Sequence, residues 1–482
     1  MFVPAVIATV SLLATLPACP LPQGDGNGSG AGAAPAAAKT QEPILDKSAQ
    51  DGLAKKLQAY LEAEAAYMSS DSSKEREKLA KKRESAKDAF IKDWESKTKK
   101  GDLLASMPDL RAIYQNCFTL ERPRNAPGTP RKYEVELRDG KAEYVLLLPK
   151  KYKPDAPMRT VIVLPGTKAA DQMSSWEDAD RYLDQIWPRK CEARETTIFH
   201  VPQLPEGLEM DPMPDYSREG QEAQEQRRIA VVFGTYGETM RDVNVDRPRV
   251  FLDCGRGDCA FGLRFVSMFP DRFAGIVLRD PTKVEDLRLG SLTGMPVLML
   301  KTADNAGVVD TLKQRLDAVS PEAVSVLDAT DAYPFEAANE AISKWMDEHE
   351  RDMTPKHVVI EPNHDRFNRA YWARIGRMNP VHGTAADQRP RLEVTADRAS
   401  NRIVVKAQGV ESFSLMLNDD LVDLDKEFTV VINDKAVTEQ KRRDQRGMQE
   451  RMLERRDWDF LFPVEFQSTV PKAEPKEGEP NK

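Results

Sequence analysis

The sequence lacks several features that would indicate a function directly. It has no basic excess: 70 Lys and Arg stand against 78 Asp and Glu, and the formal net charge is −8. This balance argues against a nucleic-acid-binding protein, because such proteins present a basic face. The five cysteines and five histidines include no CxxC pair and no Cys/His cluster, so nothing indicates zinc. We predict no metal and no cofactor.

Positive charge is also missing from the N-terminus, where the first basic residue is Lys39. The apolar run MFVPAVIATVSLLATLPAC has the length of a signal peptide and is too short for a convincing membrane span. Its end, LPAC, resembles a bacterial lipobox, which implies that Cys19 is acylated and becomes the mature N-terminus. We expect a cell-envelope protein held on a membrane by this lipid. The alternative is an ordinary cleaved signal peptide, which leaves the protein periplasmic or secreted.

The cysteines beyond Cys19 allow two interpretations. In an exported protein, four cysteines can form two disulfides, with three possible connectivities. The other interpretation is that they are free thiols buried in the core. The sequence alone does not decide between them. These cysteines are Cys117, Cys191, Cys254 and Cys259.

Composition and periodicity divide the chain into segments. A stretch rich in Gly, Ala and Pro follows the signal and predicts a flexible linker. Apolar residues at helical spacing then predict a helical hairpin, and short β-branched runs between helix-length segments predict a mostly parallel sheet with helices on both faces. Later alternation with turns predicts a small β-sandwich. The predicted segments are 1–19 signal peptide, 20–43 linker, 44–104 helical hairpin, 105–352 α/β domain, 353–388 connector, 389–470 β-rich domain and 471–482 disordered tail.

Eight strands are predicted in the α/β domain, and the first two read as a hairpin closed at Asp139-Gly140. The strands are Tyr133–Leu137, Tyr144–Leu148, Val161–Leu164, Thr197–Val201, Val250–Asp253, Gly275–Arg279, Val297–Lys301 and Val324–Leu327.

Several phrases of this domain resemble the α/β-hydrolases, in particular the secreted esterases grouped with feruloyl esterases and poly(3-hydroxybutyrate) depolymerases. They are YVLLLPKKYKPDAPMRTVIVLPGT, FPDRFAGIVLRDP and MPVLMLKTADNAGVVD, and the similarity runs from about Lys132 to Trp345. The resemblance implies an α/β-hydrolase-like sheet and a catalytic serine, histidine and acid. It is more specific for fold than for activity.

The turn that should carry the nucleophile lies in DCGRGDC. A serine hydrolase needs a serine on a sharp strand-to-helix turn with small neighbours. Spacing of small residues places the apex at Gly257, flanked at two positions on either side by Gly255 and Cys259, whereas counting back from Pro270 through a helix of the family's usual length places it at Arg256. Neither register offers a nucleophile. Asp258 and Cys259 are the alternative nucleophiles on this stretch.

The other catalytic positions are also altered. The oxyanion turn, a histidine–glycine pair in the family, here reads Pro165-Gly166-Thr167, and Asp304 stands at the position of the acid. No histidine follows the last strand, near Asp331 to Pro334, so His364 is the remaining candidate for the base.

These substitutions predict a degenerate triad. We therefore expect a cell-envelope protein that has lost hydrolytic activity and acts as a ligand-binding or interaction protein, with a glycan or an ester polymer as ligand. One alternative is an active esterase with a non-standard nucleophile. A second is a structural envelope protein. The sequence makes no prediction of oligomeric state.

Overall fold

The computed structural model describes residues 42–70, 72–118, 120, 126–138, 140–164, 181, 183–203, 220–282, 287–455 and 457–471. The chain divides into two compact units, Met1–Thr119 and Leu120–Lys482. Among the described residues, no helix combines the length and the apolar character needed to cross a bilayer.

The first unit contains a helical hairpin, and Ser72 caps its second helix by accepting a hydrogen bond from the backbone of Glu75. Residues 105–119 group with this unit rather than with the sheet, where we had placed them. The reason is Asp109, whose buried carboxylate accepts from the backbone nitrogens of Ile44 (2.7 Å) and Leu45 (3.1 Å). The helices are α1 (Lys47–Ser69), α2 (Ser73–Thr98) and α3 (Met107–Gln115), with a 3₁₀ turn at Leu103–Ala105.

An eight-stranded sheet forms the first part of the second unit. Its strand order is β1-β2-β4-β3-β5-β6-β7-β8, and all pairs from β4 to β8 along this order are parallel. All eight predicted strands are present. Their bounds are β1 (Arg131–Leu137), β2 (Gly140–Leu147), β3 (Met158–Leu164), β4 (Ile198–Gln203), β5 (Val245–Gly255), β6 (Gly275–Arg279), β7 (Val297–Lys301) and β8 (Val324–Asp328).

Apolar residues alternate between the two faces of this sheet, as the pleat requires. Leu252 of β5 joins the core cluster that contains residues of the helices Gln221–Asp242, Asp258–Met268 and Ala306–Asp317, whereas its neighbour Phe251 joins the cluster that contains residues of the helix Asn339–Asp347. Both faces are therefore covered, which explains why the strands read as continuous apolar runs. The helices are α4 (Ala193–Thr196), α5 (Gln221–Asp242), α6 (Asp258–Met268), α7 (Ala306–Asp317) and α8 (Asn339–Asp347).

Two smaller sheets follow and share one apolar core. The segment 353–388 is not a connector, because it supplies three strands of these sheets. The strand His357–Ile360, for example, pairs with the strand Arg391–Asp397. Near the end of this part, the strand Lys435–Glu439 is followed by a helix that begins at Gln445. The elements are β9 (His357–Ile360), β10 (Arg369–Ala370), β11 (Ala373–Ile375), β12 (Arg391–Asp397), β13 (Arg402–Gln408), β14 (Ser412–Leu417), β15 (Phe428–Ile432), β16 (Lys435–Glu439), α9 (Gln445–Arg455) and β17 (Val464–Thr469).

A buried ion cluster, here called the joint, connects the large sheet and its helices with this β-rich part. Arg351 donates hydrogen bonds to Asp457 at 2.7 and 3.0 Å and to Asp459 at 3.1 Å. Arg455, at the end of α9, donates to Asp271 at 2.5 Å. Because breaking one member of a buried pair leaves a charge without compensation, these contacts hold the two parts in one arrangement.

Candidate functional site

The candidate site is the turn between β5 and α6. The strand ends at Gly255, the helix begins at Asp258, and Arg256 between them has φ of 51°. A non-glycine residue in this left-handed region is strained, and a strained strand-to-helix turn is the backbone feature that exposes the nucleophile of an α/β-hydrolase. The apex is therefore Arg256, which decides between the two registers left open by the sequence.

Close packing behind the turn depends on a glycine in α6. A Cβ atom added at Gly262 would lie only 2.3 Å from Sγ of Cys254 in β5. The helix can lie this close to the strand because the residue has no side chain. The backbone of the turn is also tied to the neighbouring strand, since the nitrogen of Arg256 donates to the carbonyl of Arg279 at 2.7 Å.

The side chain of Arg256 is engaged by two neighbours. Its Nε lies 3.8 Å from Oδ2 of Asp280, and its guanidinium carbon lies 3.9 Å above the ring of Tyr333. Asp280 directly follows β6, and Tyr333 lies in the segment after β8, where the resemblance places the catalytic histidine. An ion pair and a cation–π contact thus occupy the space around the apex of the turn.

Asp304 is not the carboxylate that approaches the apex. It is exposed in the turn after β7. Its neighbour Asn305 is buried instead and donates to Oδ1 of Asp280 at 3.2 Å and to the carbonyl of Leu300 at 3.1 Å. The acid beside the turn therefore comes from the end of β6, and the amide of Asn305 orients it.

Cys259 cannot act as the nucleophile in this arrangement. Its thiol is fully buried and points at the carbonyls of Cys254 (3.4 Å) and Arg279 (3.6 Å). Burial, with the nearby charge of Asp258, raises the pKa of this thiol well above its usual range, which disfavours the reactive thiolate. The carboxyl group of Asp258 is itself completely buried at the start of α6.

No disulfide forms among the four cysteines beyond Cys19. All four are free thiols, three of them buried and Cys191 half-buried. The interpretation as buried free thiols therefore holds for three, and the one with two disulfides is wrong. The buried three are Cys117, Cys254 and Cys259.

His364 lies at the wrong end of α6 for catalysis at the turn. Its neighbour Asn363 donates to the hydroxyl of Ser267 at 2.7 Å, and Ser267 is about 14 Å along the helix axis from Asp258 at about 1.5 Å per residue. Nδ1 of His364 accepts from the backbone of Arg366, and Nε2 lies 3.0 Å from Glu222. The imidazole thus serves a local contact with α5.

A buried network behind the turn was not identified from the sequence. Nε of Arg279 donates to Asp253 at 2.9 Å, and one Nη donates to Asn339 at 2.8 Å. The indole of Trp187 donates to the same carboxylate at 2.8 Å, and Arg279 is completely buried. The available signal was one charge of each sign inside the apolar strand segments VFLDC and IVLR.

Arg256 itself cannot serve as a nucleophile. An arginine is always protonated and has no lone pair for attack. The described part of the chain also contains no group of three or more His, Cys, Asp or Glu that could hold a metal ion. The oxyanion-turn residues Pro165, Gly166 and Thr167 lie outside the described residues.

Comparison with known proteins gives structural likenesses only. No family model matches the chain, and no curated protein matches it. Among solved structures, a thermostable esterase is 17% identical with a TM-score of 0.35, and the match covers 46% of this chain and 63% of that one. The S-formylglutathione hydrolase of Agrobacterium tumefaciens is 13% identical with a TM-score of 0.36, covering 47% and 97%. The ferulic acid esterase of Anaeromyces mucronatus is 12% identical with a TM-score of 0.34, covering 48% and 93%.

The fold of the central part follows from its own geometry. The sheet from β1 to β8 is mostly parallel and covered on both faces, and β5 passes through a strained turn directly into a helix. These are the features that the sequence predicted from its resemblance. Between β1 and α8, the chain has an α/β-hydrolase-like fold.

Proposed function

We propose that this protein does not hydrolyse esters and that it acts as a binding or interaction protein of the cell envelope. The observation that carries the proposal is the side chain at the apex of the β5–α6 turn. Arg256 stands there in place of a nucleophile and is occupied by Asp280 and Tyr333. The backbone of a catalytic turn has been kept while its chemistry has been replaced.

The expected loss of activity is large. Removing a member of a catalytic triad typically costs several orders of magnitude, and only about 10³–10⁴-fold over water remains from binding and the oxyanion hole. Here an arginine replaces the nucleophile, and Tyr333 lies where the base is expected. Because a nucleophile without a base is not activated, restoring a serine at position 256 alone does not restore turnover.

An esterase with a non-standard nucleophile could use, for instance, Cys259 or Asp258 together with His364. The thiol of Cys259 is buried and held protonated, and the imidazole of His364 contacts Glu222 near the far end of α6. A base must come within about 3 Å of the proton that it removes. The experiment must therefore test whether these residues support any hydrolysis.

The experiment measures hydrolysis of aryl esters and labelling by a fluorophosphonate probe, with an active serine esterase as positive control. We expect the wild-type protein to hydrolyse aryl esters at the same rate as Arg256→Ala, and we expect the probe to label no serine. A rate that falls in Asp258→Asn, Cys259→Ala or His364→Ala would contradict the proposal, and so would labelling of any serine in the wild-type protein.

We also propose that the protein is exported and anchored to a membrane by a lipid on Cys19. The support is the sequence LPAC at the end of an apolar run of signal-peptide length. Metabolic labelling with palmitate should give a labelled, membrane-associated protein, and Cys19→Ser should remove both the label and the membrane association. A soluble, unlabelled wild-type protein would favour an ordinary signal peptide.

The proposed ligand is a glycan or an ester polymer, a substrate class carried over from the esterases that the chain resembles. Sedimentation with feruloylated xylan and with poly(3-hydroxybutyrate) granules tests it. Retention on either polymer, compared with an uncharged cellulose control, supports the proposal. Absence of binding to both would favour a structural role in the envelope.

A further inference from the structure

A cavity of about 260 Å³ lies beside the joint, at the opposite end of β5 from the Arg256 turn. Its volume exceeds the roughly 150 Å³ that accommodates a benzene-sized molecule in an apolar protein cavity. The lining combines an apolar wall with four arginines and with the carboxylates of Glu454 and Asp457. The apolar wall comprises Phe233, Tyr236, Met240, Val250 and Phe269.

Arg247 is the charged residue of this cavity that matters most. It lies near the start of β5, is 94% buried by its relative exposure of 6%, and stacks on Trp458 with 4.4 Å from guanidinium carbon to ring centroid. Within the described residues its guanidinium makes no hydrogen bond, and because Nε is shielded from solvent, the two Nη groups are the donors that a ligand can meet. Buried polar groups are nearly always paired, so a cavity-lining guanidinium without a hydrogen bond indicates a ligand acceptor.

The other arginines that line the cavity already form ion pairs or hydrogen bonds within the protein. Arg351 pairs with Asp457 and Asp459, Arg455 pairs with Asp271, and Arg272 donates to the carbonyl of Arg455 at 2.9 Å. Arg272 also lies 3.6 Å from Asp457. Arg247 is the guanidinium that these contacts leave available, because no carboxylate forms an ion pair with it in the described part of the chain.

The charge to be balanced is that of a single guanidinium, because Arg247 is the lining arginine without an ion pair among the described residues. The carboxylates of Glu454 and Asp457 also line the cavity, so a singly charged carboxylate fits better than a phosphate dianion. The planar fork of arginine also matches the two oxygens of a carboxylate.

We infer that this cavity binds a small monocarboxylate with an aromatic or aliphatic body, its carboxylate on Arg247 and its body against the apolar wall. The hydroxyl of Tyr236 supplies a second donor. Burial, opposed by the charge of Arg247, raises the pKa of Tyr236 to about 12, so the phenol keeps its proton and can donate it to the ligand. The site is separate from the Arg256 turn and does not depend on whether that turn hydrolyses esters.

Benzoate is the probe, and its binding is measured by calorimetry and by the shift in melting temperature. Benzyl alcohol has the same ring without the charge, and inorganic phosphate has charge without the ring. We expect benzoate alone to bind and to stabilise the protein in proportion to the logarithm of its concentration. Because a charge-assisted hydrogen bond is lost, Arg247→Met should weaken benzoate about 10- to 100-fold.

Two further variants keep the test independent of folding defects. Arg249→Met, two residues along the same strand, removes an arginine that pairs with Asp246 and does not line the cavity, so benzoate should bind it unchanged. Met240→Phe fills the apolar wall, leaves every arginine in place and should also abolish binding. Absence of benzoate binding to the wild type, or undiminished binding by Arg247→Met, overturns the inference. Binding of phosphate in preference to benzoate overturns the assignment of a carboxylate.

Discussion

The two ends of β5 carry the same kind of side chain in opposite states. At the carboxyl end, Arg256 stacks on Tyr333 and has a carboxylate 3.8 Å from its Nε. At the amino end, Arg247 stacks on Trp458 with 4.4 Å from guanidinium carbon to ring centroid, but no carboxylate of the described residues forms an ion pair with it. The end that resembles an active site is thus chemically closed, while the end without a recognisable motif keeps binding capacity. The likeness of the turn to a catalytic turn therefore does not show where this protein can bind a ligand.

The same comparison extends to the charges buried behind each end. Behind the turn, Arg279 and Asp253 form an ion pair whose remaining donors are satisfied by neutral groups. At the joint, Arg351 meets two carboxylates within a larger group of charges. The first is a compact network inside one fold, whereas the second fixes one part of the unit against another. Stability measurements can separate these roles.

The largest effect is expected for Arg279→Met. The substitution leaves Asp253 buried with the indole of Trp187 as its one remaining side-chain donor among the described residues. Removing one partner of a buried pair costs about 3–5 kcal/mol, so the free energy of unfolding in urea should fall by that amount. The double variant Asp253→Asn, Arg279→Met is the control and should recover a large share. A loss below about 1 kcal/mol would show that the network contributes little.

A somewhat smaller effect, dependent on pH, is expected at the joint for Asp457→Asn. Burial alone would raise the pKa of Asp457, but the charge and hydrogen bonds of Arg351, with Arg272 and Arg455 nearby, hold it well below its usual range. A lowered pKa in the folded state stabilises the protein above the unfolded pKa of about 4, and this contribution is lost as pH falls through the folded value. The variant should lose about 2–3 kcal/mol at pH 7.

Urea unfolding at pH 7, 4 and 3 tests the sign of this effect. The wild-type protein should lose stability between pH 4 and pH 3, and Asp457→Asn should reduce that loss. An acid dependence that is identical in the two proteins would contradict a depressed pKa at Asp457. Arg279→Met serves as the comparison, because it removes a charge behind the turn and leaves the joint intact.

The rates at which the thiols react give a third test, which measures how well the β5–α6 turn shields Cys259 from solvent. Cys191 is half-buried, whereas Cys259 is fully buried and hydrogen-bonded to two carbonyls. Since the thiolate is the reacting species and burial suppresses it, iodoacetamide should modify Cys191 at least about 100-fold faster than Cys259 in the native protein. Peptide mapping after a short exposure measures both rates. Comparable rates would mean that the turn opens readily.

The strands were predictable because their residues are locally distinctive. Apolar runs rich in Val, Ile and Leu, separated by helix-length segments, marked all eight strands of the large sheet. Strands β10 and β11 were missed because they are only two and three residues long and carry no periodicity of their own. Asp109 was missed as well, since its partners Ile44 and Leu45 are distant in sequence.

The site was predictable only in its backbone. Glycine spacing indicated a sharp turn, but not which residue takes the left-handed conformation, because φ depends on how α6 packs against β5. The sequence shows that no histidine stands at the expected position, but it does not show that Tyr333 contacts Arg256. The cavity at the joint joins residues from α5, β5 and α9, so no local pattern indicates it.

The smallest effect is expected for Arg256→Met, although Arg256 lies at the apex of the turn and bonds through its backbone to Arg279. Methionine meets the same strain at φ of 51°, so the substitution removes only the ion pair and the cation–π contact. These partly exposed contacts are each worth about 1 kcal/mol or less, and the free energy of unfolding should change by about 1 kcal/mol. A loss as large as that of Arg279→Met would mean that Arg256 replaced the nucleophile for the stability of the fold.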